Sequence, residues 1–157
     1  MVDQRPWQHR IDVAIKAAEQ RDLALEAAEE ARRQSLLRAF QGFVENCDTV
    51  VRPTLEDAAD LLRERGFDAQ VIDQRSDGPS APTFELALRI ERQGDRGRAD
   101  LTFRGSASSD GIRITEMVGH RRTGTGFHKE EYQTAPAKLT PEFVGGRIAD
   151  LMEMLLR

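Results

Sequence analysis

The spacing of apolar residues changes near Gly66 and changes back near Leu139, and this constrains the fold more than any single motif. Before Gly66, apolar residues recur every three or four positions, as on one face of a helix. Pro53 is suited to open a second helix there, and Gly66 to end it. Between residues 67 and 133 apolar and polar residues alternate, as in half-buried strands. Because helical spacing then returns, the pattern predicts the element order α-α-β-β-β-β-β-α.

Five segments carry the alternation, and glycine-rich connectors join them. The predicted strands are 67–73, 83–92, 99–105, 111–118 and 126–133. The connectors QGDRG, SASSDG and TGTG are typical of turns between consecutive hairpins. We therefore expect a two-layer α+β domain, in which an antiparallel β-meander of about five strands is covered on one face by helices.

The first helix is predicted to be unusually long. From residue 7 to residue 47 there is no proline and no glycine before Gly42, and strong helix formers dominate. Forty helical residues span ~60 Å, whereas a globule of this length has a radius of gyration of ~15 Å. Residues 1–35 are therefore expected to overhang a single α+β domain formed by residues 36–157. The alternative is a break near Asp22, with the first half folding back.

The last helix has a clear start. Thr140 is suited to cap it, and Pro141 to occupy its first turn. Gly145 and Gly146 lower helix propensity within it. Their small size indicates close packing of this helix on the sheet or on another helix.

Charge and composition argue against a nucleic-acid-binding, membrane or disulfide-bonded protein. The 23 basic and 27 acidic side chains give a net charge of −4, without the basic excess typical of nucleic-acid binders. No apolar run is long enough for a membrane helix, and the N-terminus lacks a signal core, so we expect a cytoplasmic protein without a membrane partner. Cys47 is the only cysteine, so it has no disulfide partner within the chain.

No catalytic or metal-binding pattern stands out. His9, His120 and His128 are the only histidines. His120 and His128 flank a predicted turn, where Glu116, Glu130 or Glu131 could supply a third ligand. However, the chain contains no HxH or HExxH motif. We expect no metal, no cofactor and no enzymatic activity; the remaining enzyme hypothesis uses His120 or His128 as an acid/base.

The outward face of the predicted sheet alternates basic and acidic residues. Its members are Arg89, Glu91, Asp100, Thr102, Arg104, Arg113, Thr115 and Met117. An RNA-binding sheet needs aromatic stacking platforms, and this set contains none. The charges are spaced for cross-strand pairs, which favours a solvated, salt-paired face over a protein- or nucleic-acid-binding face.

The long helix is the predicted partner-binding surface. Its apolar stripe, here called the N-terminal stripe, consists of Trp7, Ile11, Ile15, Ala18 and Leu25. An overhanging alanine-rich stripe normally packs on another helix, as in a coiled coil. This predicts a protein-interaction, adaptor or chaperone-like domain that binds itself as a homodimer or joins a larger complex. Trp7 either anchors the partner or packs on the domain's own surface.

A second contact surface is predicted on the hairpin GHRRTGTGFHKEEY. Its candidate residues are His120, Arg121, Arg122, His128 and Lys129. The alternative function is nucleic-acid binding through this arginine-rich hairpin, residues 119–129. The competing interpretation is a charged edge strand that guards against unwanted sheet pairing.

In size, acidity and α+β content the chain is similar to bacterial type III secretion chaperones. The resemblance implies a small homodimer that binds a segment of an effector protein. It covers general features only, and no residue role follows from it. Those chaperones place a helix between strands of the sheet, whereas no helix is predicted within residues 67–133.

Overall fold

The computed structural model describes residues 5–76, 82–94, 97–108, 111–119 and 128–157. The chain divides into two compact units, Met1–Ser35 and Leu36–Arg157. Among the described residues, no helix combines the length and the apolarity needed to cross a membrane. The element order and the α+β class are those predicted from the sequence.

Helix α1 spans Pro6–Asn46 without interruption. The alternative of a break near Asp22 is wrong, because that residue lies within a continuous helical segment. Its neighbours are alanine, leucine, glutamate and arginine, which all favour a helix. The first unit, as far as it is described, is helical from Pro6 onward, and every buried residue of the hydrophobic core lies in the second unit.

A π turn at Cys47–Val51 separates α1 from helix α2, which spans Arg52–Glu64. Backbone angles stay helical through the junction, and the N–H of Arg52 donates to the carbonyl of Cys47. Pro53 has no N–H and would clash with a carbonyl one α turn earlier. The wider turn is a usual way to accommodate such a residue within a helical run. The Thr54 hydroxyl also donates to the carbonyl oxygen of Val50 at 2.8 Å.

Five antiparallel strands form one sheet in the order β1-β2-β3-β4-β5, which confirms the predicted meander. The strands are β1 (Asp68–Ser76), β2 (Thr83–Glu91), β3 (Arg98–Ser106), β4 (Ile112–Gly119) and β5 (His128–Thr134). Leu88 of β2 faces Leu101 of β3, and Thr102 of β3 faces Thr115 of β4. This register places the alternating apolar residues on one face. The described residues between β1 and β5 form strands and turns and no helix.

Helix α3 spans Pro141–Leu155 and follows a short 3-10 turn at Pro136–Lys138. The Thr140 hydroxyl accepts a hydrogen bond from the Phe143 N–H at 3.1 Å, as expected of an N-cap. The close-packing explanation for Gly145 and Gly146 is wrong. Among the described residues, no atom lies within 4 Å of a Cβ atom built at either glycine.

Buried residues from α2, α3, the π turn and the end of α1 form one hydrophobic core with the inward face of the sheet. Phe43 lies over Gly105 of β3, where a Cβ atom would overlap the Phe43 ring. The same ring meets Phe84 of β2 edge to face, with centroids 5.7 Å apart. The opposite face of the sheet carries charged residues such as Arg89, Asp100 and Arg113.

Candidate functional site

The first unit exposes a line of large apolar side chains. Four members of the N-terminal stripe, Trp7, Ile11, Ile15 and Leu25, are between 50% and 63% exposed. Ala18, the fifth member, is half-buried. Spacings of four, four, three and seven residues place these five along one side of a helix. The structure therefore keeps the predicted stripe together on α1.

Two further exposed apolar residues of α1 were missed from the sequence. Val13 is 52% exposed and Leu23 is 65% exposed. Neither follows the helical spacing of the N-terminal stripe, so both lie on other sides of the helix. A count of large apolar residues along the whole segment would have found them where the stripe pattern did not.

Polar contacts in the first unit run along the helix. Arg33 pairs with Glu30 at 2.8 Å, and Gln34 donates to the same carboxylate at 3.0 Å. The hydrogen bond from Arg33 lowers the pKa of Glu30. Arg21 donates to the carbonyl oxygen of Ala17 at 3.4 Å. Such neighbours at i,i+3 and i,i+4 support the helix and leave its apolar residues open.

The second predicted surface is only partly described. His120, Arg121 and Arg122 lie outside the described residues. His128 and Lys129 are exposed at the start of β5, and His128 Nε2 lies 3.8 Å from Glu130 Oε2. The alternative of nucleic-acid binding by this hairpin stays a prediction.

The outward face of the sheet is salt-paired, as its charge pattern predicted. Asp100 of β3 binds Arg89 of β2 at 3.1 Å and Arg98 of its own strand at 2.9 Å. Arg113 of β4 binds Glu131 of β5 at 3.0 Å. These pairs offset the positive charge that a polyanion would need.

A buried ion pair lies on the opposite face, between the sheet and α3. Glu116 of β4 is fully buried, and Arg147 of α3 donates to both of its carboxylate oxygens. The Tyr132 hydroxyl donates to Glu116 Oε1 at 3.2 Å. The Arg147 guanidinium also lies 5.7 Å from the centre of the Tyr132 ring and binds Asp150 at 3.2 Å.

Two of the three glutamates that could have been metal ligands are engaged in ion pairs. Glu116 binds Arg147 and Tyr132, and Glu131 binds Arg113 on the outward face. Glu130, the third candidate, lies near His128. Throughout the described ranges, no group of three or more His, Cys, Asp or Glu side chains is placed to hold a metal ion.

Burial and the neighbouring carboxylate set the protonation of the cluster. Burial is the main cause that raises the pKa of Tyr132 to about 12, and the charge of Glu116 adds to it. The hydrogen bond to Glu116 raises the pKa of Arg147. Tyr132 is therefore a neutral donor and Arg147 a permanent cation at neutral pH. With both engaged by Glu116, the arrangement fixes α3 on the sheet.

Sequence reasoning missed the ion pair, although two signals were present. Glu116 occupies an inward position of β4 between Ile114 and Val118, where apolar residues alternate. Arg147 interrupts the apolar side of α3 one turn after Phe143. A charged residue at each of two facing apolar positions is the usual sign of a buried pair.

A second charged cluster joins the π turn to β1. Arg52 binds Asp48 at 3.0 Å and also binds Asp73, while Arg75 binds Asp73 at 3.3 Å. Burial alone would raise the pKa of Asp73. Hydrogen bonds from Arg75 and Arg52 outweigh this effect, so the pKa of Asp73 lies below its usual value. The Arg75 guanidinium lies 4.8 Å from the centre of the Phe84 ring. The four charges are mutually paired.

Cys47 is fully buried in the π turn. Burial is the main cause that raises the pKa of its thiol to about 12, so the thiol is protonated at neutral pH. A protonated and buried thiol is a poor nucleophile. The side chain therefore contributes to packing.

An open cleft of about 520 Å³ lies where β3 and β5 end. Its apolar wall is formed by residues such as Phe40, Phe43 and Ile112, and its polar side chains include Gln133 and Lys138. The described residues that line it include no histidine and no carboxylate.

Comparison with known protein families, with curated proteins and with solved structures finds no match to this chain.

Proposed function

We propose that the protein is a non-enzymatic interaction domain, of the adaptor or chaperone-like kind, which binds a protein partner through the N-terminal stripe. One observation carries the proposal. Six large apolar side chains of the first unit, namely Trp7, Ile11, Val13, Ile15, Leu23 and Leu25, are at least half exposed.

At least half of each of these side chains is exposed to water. Fully burying a large apolar side chain contributes about 1.5–3 kcal/mol relative to leaving it exposed. Single exposed apolar residues are ordinary, but a contiguous group marks an interaction site. The N-terminal stripe places Trp7, Ile11, Ile15 and Ala18 on consecutive turns of a regular helix, with Leu25 two turns further on. A partner helix can bury these side chains along one side.

The second unit supports the same proposal in a different way. Its buried carboxylate, Glu116, is engaged by Arg147 and Tyr132, and the buried Cys47 is protonated. These groups are engaged in packing α3 and the π turn against the sheet. Among the described residues, the hydrophobic core includes no side chain of the first unit.

Photo-cross-linking in cells tests the proposal. A photo-reactive phenylalanine analogue replaces Leu25 in one variant and Ile15 in another. Matched controls carry the same analogue at Leu61 or Leu156, which are 54% and 50% exposed in the second unit. We expect discrete cross-linked species from the two positions in the first unit and only background from the controls. Equal yields at all four positions would contradict the proposal.

A further inference from the structure

We infer that the partner of the N-terminal stripe is a second copy of this chain, paired antiparallel around a two-fold axis beside Ala18. This inference rests on the proposed function and adds the identity and the orientation of the partner. It follows from how charge and apolar side chains are distributed along the exposed part of α1.

Charge is divided between two segments of this helix. Residues 5–16 hold three basic side chains and one acidic, whereas residues 17–30 hold five acidic and one basic. An antiparallel pair places the basic segment of each copy beside the acidic segment of the other. A parallel pair would place the acidic segments together, and like charges on facing helices are unfavourable.

The position of the axis follows from the same division. The basic side chains of the first segment are Arg5, Arg10 and Lys16, and the acidic side chains of the second are Glu19, Asp22, Glu26, Glu29 and Glu30. Ala18 lies midway between the centres of these two groups. Arg10 and Glu26 are each eight residues from Ala18, so the two-fold axis places Arg10 of one copy at the same height as Glu26 of the other.

The apolar residues of the stripe can also be matched across this axis. The first segment carries Trp7, Ile11 and Ile15, and Leu25 is the large apolar member of the continuation of the stripe. Ile11 and Leu25 are each seven residues from Ala18 and therefore meet across the axis. A small residue at the axis allows the helices to approach closely.

Burial of apolar side chains and charge complementarity contribute to the dimer in different ways. Exposed ion pairs contribute little free energy and are screened by salt, so affinity comes from the buried apolar side chains. Charge complementarity selects the orientation, because it penalises the alternative. The dimer is therefore expected to survive moderate salt.

Light scattering and paired spin labels test the inference on the full-length protein. Labels are attached to Gln20→Cys or to Ala31→Cys, and the native Cys47 is fully buried and does not compete. In an antiparallel pair, each residue of separation from the axis adds ~3 Å to the axial distance between identical labels. The two labels at position 20 should be offset by ~6 Å along the axis and those at position 31 by ~40 Å. A parallel pair gives nearly equal distances at both positions.

Charge reversal gives an independent readout. Arg10→Glu should weaken dimerisation about tenfold, since the variant replaces attraction to the acidic segment of the other copy with repulsion at two symmetric places. Adding Glu26→Arg to the same chain should restore the affinity. Lys138→Glu makes the same charge change in the second unit and should leave dimerisation unaltered.

The outcomes separate this inference from the proposed function. A dimer with similar label distances at both positions, or a dimer that Arg10→Glu does not weaken, overturns the antiparallel arrangement. A monomer at the highest soluble concentration overturns the inference, but the proposed function stands if Leu25 cross-links to another protein. A monomer without cross-links removes both.

Discussion

Arg147 of α3 binds both carboxylate oxygens of Glu116 of β4, and this pair joins a helix to the inner strand that lies beside the edge of the sheet. Among the described residues, Glu116 is the one charged side chain that is fully buried. Removing a charge from water is costly, and only a well-paired geometry offsets that cost. The contact therefore fixes the position of α3 more than it adds stability.

Replacing Arg147 alone should destabilise the protein strongly. Arg147→Met leaves the Glu116 carboxylate buried without its cation, so the free energy of unfolding should fall by about 3 kcal/mol. Urea denaturation followed by circular dichroism measures the change. Arg113→Met is the matched control, because it breaks the exposed pair with Glu131 and should cost less than about 1 kcal/mol.

Replacing both partners should recover much of the loss. The double variant Glu116→Leu/Arg147→Met removes the buried charge together with its cation, and such exchanges are often neutral or stabilising. We expect it to be more stable than Arg147→Met in the same urea experiment. A double variant that is less stable than either single variant would show that the pair stabilises the fold in its own right.

Tyr132 should titrate at unusually high pH. It is the only tyrosine, so the ultraviolet absorbance of tyrosinate reports on it alone. Its pKa is raised from 10.0 to about 12, chiefly by burial. The pKa of Tyr132 is higher in the folded protein than in the unfolded chain. The stability that Tyr132 contributes is therefore fully present below pH 10 and is lost as the pH rises towards 12. The chain unfolded in guanidinium should titrate near 10, and Glu116→Gln should lower the midpoint of the folded protein.

Two glycine-to-alanine substitutions should have opposite effects on stability. Gly105→Ala places a methyl group on the Phe43 ring and should cost about 1–3 kcal/mol of unfolding free energy. Gly145→Ala meets open space within a helix and should add about 0.5–1 kcal/mol. Thermal and urea unfolding distinguish the two. Adding Phe43→Leu to Gly105→Ala should cost less than the sum of the single changes, because it relieves the overlap.

Removing residues 1–34 should leave a cooperatively folding domain. Every residue of the buried hydrophobic core lies at Phe43 or beyond, so the fragment keeps its apolar contacts. Its urea midpoint should stay close to that of the full chain when both are monomeric, and the association described above should be lost. A fragment that unfolds without a cooperative transition would show that the first unit contributes to the core.

The sequence predicted the sheet well because two physical signals agreed there. Alternation fixed which residues face inward, as with Leu86 and Phe103, and glycine-rich turns fixed the hairpin connectivity. Helix propensity favoured a long α1, but a break near Asp22 remained an alternative until the structure showed a continuous helix.

The failures share a different cause. Glu116 and Arg147 lie 31 positions apart, and their contact exists only when α3 packs on the sheet. The small size of Gly145 suggested close packing, yet the described residues leave room beside it. The packing of the whole core decides which side of α3 meets the sheet, and the sequence does not show that packing. The π turn at Cys47–Val51 was also missed, since its i→i+5 bonding has no distinct sequence pattern beyond Pro53.

That π turn has a consequence for the angular register of the helices on either side of it. A π turn holds about one residue more than an α turn, and one residue corresponds to a rotation of about 100° around the helix axis. The extra residue therefore sets the azimuth at which Leu55 and Ala59 of α2 meet the sheet. Deleting one residue from Cys47–Val51 would restore an ideal α turn and swing that buried face towards solvent. A more regular helix would then give a less stable protein.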